Sequence, residues 1–179
     1  MDLILRMSRV KNRKKNNLKF DSERFEKIKK DAELNYRSIN SVVCPFLKRK
    51  INFNVKGLDH IKFKSWNKTR LQSDQYYRLK FLKLAPIILE KTGTLQEYNE
   101  TNSFERKKLR SNWSRKMVPV KYYGFIAILK YKIKVKVIVK EFEGGEPYFW
   151  SIIPFWKNKK DEINNIIKKV FHDGDLEND

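Results

Sequence analysis

The chain has 179 residues, with 41 Lys and Arg against 21 Asp and Glu, and a formal net charge of +20. That length suits one domain of ordinary size with an appendage, and a 40% hydrophobic share supports a packed core and argues against wholesale disorder. The single cysteine, Cys44, excludes an internal disulfide and a cysteine metal cluster, and no run approaches the ~20 apolar residues of a membrane span.

Taken in chain order, residues 1 to about 20 carry the run KNRKKNN without apolar period and read as a basic arm. MDLILRM gives way to that run at once, so no signal-peptide core is expected, and the expected compartment is cytoplasmic. Asp21 or Ser22 can cap a helix to about Asn40, with Phe25, Ile28, Ala32 and Leu34 near helical spacing. Pro45 breaks the chain. Ile51, Phe53 and Val55 alternate with polar residues as a short strand, which Gly57 ends. Asp59 can cap a short helix carrying His60, Ile61, Phe63 and Lys64. A longer helix is expected over Ser73 to Lys91, with Tyr77, Phe81, Leu84 and Ile88 on its buried face and a kink or break at Pro86.

Thr94 to Tyr98 reads as a brief edge strand, and Asn99 to Lys116 as a polar loop with some helix, anchored by Trp113. Val118–Lys130, Lys132–Phe142 and Tyr148–Phe155 are β-rich runs, with turns at Tyr131 and at Glu143–Glu146, and they predict an antiparallel meander. A last helix is expected from Lys157 to Phe171, followed by a solvated tail, HDGDLEND. The fold expected is α+β, with N-terminal helices packed on an antiparallel sheet of about four strands. The organisation expected is a basic arm and helical extension over 1–49, a domain over 50–172 and a disordered tail over 173–179.

A charge of this size draws polyanions, of which nucleic acid is the commonest. An anionic membrane is the competing partner, but no long basic amphipathic helix is present. In KIKVKVIVK, alternation sets Ile133, Val135, Val137 and Val139 on one face and Lys132, Lys134, Lys136 and Lys140 on the other. The lysines form either a phosphate-binding row or the solvated face of an amphipathic strand. His60 is one of two histidines, the other being His172 in the tail. Lys62, Lys64, Lys68 and Arg70 follow it closely, and nearby cations favour the neutral imidazole that can act as a base. On a helix, Lys64 would share a face with His60. A lone histidine is also commonly structural. No Walker loop, dinucleotide turn or metal-ligand spacing is present, and no cofactor or metal is expected.

The order Gly57–Leu–Asp–His60–Ile–Lys–Phe, then Arg70, RLKFLKLAPIIL, Gln96–Glu97–Tyr98, YYGFIAIL, IKVKVIVK with its GG turn, and PYFWSIIPFW resembles the phage-associated branch of the barnase–EndoU–colicin–RelE nuclease superfamily. The resemblance covers about residues 50 to 156. It implies a metal-independent ribonuclease, often a toxin, with helices packed on an antiparallel sheet. It makes His60 the catalytic histidine, Ser151 the polar residue of the last strand, and Arg70 and Lys64 phosphate-contacting cations.

RNA carries its own nucleophile, the 2′-OH, so one histidine, a second acid or base and two cations suffice. Glu97 is a candidate for the second role, Ser151 for a donor to phosphate, and Trp150 or Tyr148 for stacking a base. Lys62, Lys64, Lys132, Lys134, Lys136 and Lys140 are the candidate RNA-binding cations. The function expected is an endoribonuclease of toxin type, with RNA and an acidic antitoxin as partners. The alternative is a non-catalytic nucleic-acid binder, which has no need of His60 with Arg70. A basic module docking on an acidic protein is a weaker third reading.

Overall fold

The computed structural model describes residues 22–65, 68–109, 112–129, 133–155 and 176. The expected basic arm, Tyr131, Lys132, the expected C-terminal helix and His172 lie outside these residues, and of Trp113 only the backbone is described. The chain runs α1 (Phe25–Ser38), β1 (Ser41–Cys44), β2 (Arg49–Asn52), α2 (Val55–Lys62), β3 (Phe63–Ser65), β4 (Lys68–Thr69) and α3 (Gln72–Phe81). A 3₁₀ turn at Leu82–Leu84 leads into α4 (Ala85–Lys91), β5 (Glu97–Leu109), β6 (Asn112–Ile128), β7 (Lys134–Phe142) and β8 (Tyr148–Phe155). The fold is α+β. No helix among the described residues is long and apolar enough to cross a membrane.

The sheet is larger than the expected four strands. Six strands lie in the order β1-β2-β8-β7-β6-β5, and the meander β6–β7–β8 forms its antiparallel centre. The β1–β2 hairpin adds the two further strands on one side and pairs parallel to β8 at Asn52↔Tyr148 alone. Beyond Tyr148, the outer edge of β8 is met by α2 and α3. On the other side, the region expected as a loop over Asn99 to Lys116 is a long antiparallel ribbon, paired continuously from Glu97↔Gly124 to Leu109↔Asn112. Its sequence is mostly polar, with no sustained hydrophobic alternation to mark a strand, and cross-strand pairing supplies the structure.

The helices cover one face of the sheet. Val135, Val137, Val139, Phe149 and Ile152 meet Leu58, Ile61, Tyr76, Leu79 and Leu82 in one core, to which α1 and β1 contribute Phe25, Tyr36, Val42 and Cys44. The long helix breaks as Pro86 demands, with the proline in the first turn of α4, where its missing N–H costs nothing. Its buried face is turned relative to the expected one. Phe81 is buried as expected, but Tyr76, Leu79 and Leu82 join it in the core, and Tyr77, Leu84 and Ile88 pack at the rim. The other sheet face carries a second apolar layer of Val118, Val120, Tyr122, Ile138 and Ile153. Leu176 is buried in that layer, where the tail was expected to be solvated.

Gly57 is where α2 touches β8. The glycine was expected to end a strand, but it lies inside the helix, which starts at Val55. A Cβ there would sit 2.2 Å from the Phe149 carbonyl oxygen and 2.6 Å from the Tyr36 hydroxyl. The missing side chain lets the helix backbone lie directly on the sheet edge. Asn54, not Asp59, caps the helix: its Oδ1 accepts from Gly57 N–H at 3.2 Å.

Candidate active site

The Asn54 cap sets the phase of α2 and places His60 in its last turn, against β8. The β3–β4 pair then returns the chain beside the helix, and Arg70 N–H donates to the Lys62 carbonyl at 3.0 Å. Arg70 Nε donates to the His60 carbonyl at 2.9 Å, and its Nη2 lies 3.1 Å from His60 Nε2. A guanidinium only donates, so Nε2 is the acceptor and the imidazole carries its proton on Nδ1.

The polar chain continues through α3. Asp74 receives Arg70 Nη1 at 3.4 Å and Arg78 Nε at 2.9 Å, and Arg78 Nη1 donates to Ser151 Oγ at 2.6 Å. His60, Arg70, Arg78 and Ser151 are all buried. Burying cations is costly unless they are paired and hydrogen-bonded, and the shared carboxylate of Asp74 supplies much of that pairing. His60 and Ser151, far apart in sequence, thus end on one connected set of side chains.

Trp150 sits beside this set because β8 bulges. Ile138 pairs with Ser151 and Val139 with Phe149, which leaves Trp150 without a partner on β7. A bulge re-aims a side chain, here onto His60. The imidazole and indole stack at 3.8 Å with 20° between planes. Lys140 lies over the same indole at 4.2 Å, so its Nζ is within about 8 Å of the imidazole centre. It also lies 5.0 Å from the rings of Tyr122 and Phe142. Tyr148 meets Trp150 edge-on at 6.1 Å, and burial pushes its phenol well above the ordinary value.

The candidates divide. His60, Arg70, Ser151, Trp150 and Lys140 come together. Glu97 is placed elsewhere: its carboxylate lies 2.8 Å from Lys136 Nζ, and the carboxylate of the cluster is Asp74. Lys136 is buried, so Lys134, Lys136 and Lys140 are not an open row of cations; only Lys134 is exposed. That sheet face also carries the second apolar layer, with Leu176 packed on it, whereas an isolated amphipathic strand would leave the face to water. Lys62 turns toward α1, 3.4 Å from Glu33. Lys64 is exposed on β3, because α2 ends at Lys62, and it shares no helix face with His60.

Arg78 and Asp74 were missed by sequence reasoning. Their signal was the spacing Asp74, Arg78, a step of four along one face of α3, with Arg70 a further four residues back, just ahead of the helix. Among the described residues, no group of three or more His, Cys, Asp or Glu side chains is arranged to hold a metal ion. Comparison of the chain with protein-family models, characterised proteins and solved structures finds no match.

Proposed function

We propose that this chain is an endoribonuclease that cleaves RNA by attack of the 2′-OH on the adjacent phosphate. The observation that carries this reading is the buried chain His60–Arg70–Asp74–Arg78–Ser151, stacked against Trp150. It gathers an imidazole, two guanidiniums and a hydroxyl from four separate segments. A core histidine needs none of this, and a binding surface has no reason to bury it.

In the proposed reaction, the phosphate takes the Nη groups of Arg70 and Arg78 as donors. Withdrawal of Arg70 Nη2 from His60 frees the Nε2 lone pair, which accepts the proton of the 2′-OH. The 2′-oxygen bonds to phosphorus, the bond to the 5′-oxygen breaks, and a 2′,3′-cyclic phosphate forms. Ser151 Oγ accepts from Arg78 at rest, and in the reaction its O–H turns to donate to a phosphate oxygen. Lys140 supplies the positive charge, and a proton, for the departing 5′-oxygen. Metal independence is part of the proposal and follows from this assignment, in which side chains supply every charge and proton.

By the resemblance of residues 50–156, the enzyme is a toxin acting on cytoplasmic RNA, and its basic surface is masked in the host by an acidic antitoxin. The deciding experiment incubates purified protein with total RNA in EDTA and maps the ends. Cleavage with cyclic-phosphate ends supports the reading, and intact RNA overturns it. Healthy growth on high expression of the folded chain alone overturns the toxin assignment.

A further inference from the structure

β6 pairs with β7 only from Val120 onward, whereas β5 and β6 stay paired as far as Leu109↔Asn112. Residues 102–109 and 112–119 therefore run past β7 as a two-stranded ribbon, ~26 Å long at ~3.3 Å per residue. Residues 102–119 include Arg106, Lys107, Lys108, Arg110, Arg115 and Lys116, with Glu105 as their one acid. Glu105 lies 3.5 Å from Lys56 Nζ, which ties the root of the ribbon to α2, the helix that carries His60.

The register sets Arg106 directly opposite Arg115. Like charges in that position oppose strand pairing, and a ribbon of two strands has little other stabilisation. A polyanion lying along it removes the repulsion. Alternation by two places Phe104 and Met117, also directly opposite each other, on the same ribbon face, and they are 67% and 59% exposed. Lysines alone would serve to keep an exposed edge strand from pairing with another chain, but an exposed apolar pair works against that purpose. An open aromatic ring two positions along the strand from Arg106, whose register partner is Arg115, suits single-stranded nucleic acid, which combines bases that stack on a ring with phosphates that take cations. A duplex keeps its base faces covered.

We infer that the β5–β6 ribbon is a second nucleic-acid-binding surface, which holds single-stranded RNA leading to or from the His60 cluster. This rests on the reading that the chain acts on RNA. The test is binding of 2′-O-methyl oligonucleotides, which lack the nucleophile, measured by fluorescence anisotropy over a range of salt. For a 12-nucleotide strand, Arg106→Gln with Arg115→Gln lowers the slope of log affinity against log salt by about 1.4, at ~0.7 for each phosphate no longer neutralised. Phe104→Ala weakens that strand by about tenfold, as removal of one stacked base does. A trinucleotide, too short to reach both surfaces, binds all variants as it binds the wild type, and Arg106→Lys with Arg115→Lys keeps the wild-type slope. Thermal melting of each variant separates weakened binding from unfolding. If the variants bind the 12-mer with wild-type affinity and slope while RNA is still cut, the ribbon assignment falls and the nuclease reading stands. If the stated weakening appears in a chain that cuts no RNA, the ribbon stands and the nuclease reading falls. A 12-base-pair duplex bound as tightly as the single strand overturns the assignment to single strands.

Discussion

The imidazole of His60 and the indole of Trp150 lie nearly parallel at 3.8 Å, one from the last turn of α2 and the other from the bulge in β8. The stack fixes the imidazole plane while Nε2 meets Arg70. Aromatic pairs contribute about 0.5–1.5 kcal/mol beyond the area they bury. Trp150→Ala is therefore expected to lower single-turnover cleavage by about tenfold, and Trp150→Phe to restore most of it. Equal losses in both variants would show that the stack does not position the histidine.

Replacing His60 itself separates chemistry from binding. His60→Ala should lower cleavage by about a hundredfold or more, the usual cost of an acid–base group, and leave RNA affinity nearly unchanged. Wild-type cleavage should continue in EDTA. An undiminished rate in the variant would remove His60 from the mechanism.

Asp74 holds both guanidiniums, so its removal should be felt in the fold as well as in the rate. Asp74→Ala leaves two buried cations with weaker pairing and should cost about 3 kcal/mol in denaturant unfolding. Ser151→Ala removes only the hydroxyl that accepts from Arg78 and should cost about 1–2 kcal/mol. The reverse ranking would show that Asp74 is not the brace of the cluster.

The two charge reversals on β7 should behave differently. Lys134→Glu alters an exposed cation and should lower the salt slope of RNA binding by about 0.7 if that lysine meets a phosphate. Lys136→Glu sets a buried carboxylate against Glu97 and should destabilise the fold outright. A Lys136→Glu protein as stable as the wild type would place that side chain in solvent.

Alkaline pH tests the buried phenols. Burial raises Tyr36 and Tyr148 above the ordinary 10.0 in the folded chain. Their contribution to stability is whole below pH 10 and is lost as pH rises beyond it, because the unfolded chain ionises there and the folded one does not. The melting temperature should fall above pH 10, and the fall should be shallower in the Tyr36→Phe, Tyr148→Phe double variant. Phenolate absorbance from these two tyrosines at pH 10 in the intact fold would contradict their burial.

What the sequence determined alone was whatever depends on near neighbours. The meander β6–β7–β8 is legible in its alternating runs, α1 in its helical spacing, and the break before α4 in Pro86, since each follows from side-chain periodicity or a fixed φ. His60, Arg70 and Ser151 could be marked one by one by residue type and place. Tertiary structure decided what depends on a distant partner. Gly57 belongs inside a helix because Phe149 approaches its backbone, and nothing beside it in sequence says so. Lys136 looks like a surface cation until the fold buries it beside Glu97, on the sheet face that carries the second apolar layer. The outer β5–β6 ribbon lacks a sustained apolar period and exists through cross-strand pairing between mostly polar segments. Arg78 shows its role only when packing of α3 on β8 brings it to Ser151, a hydrogen bond between residues 73 positions apart that no local pattern encodes.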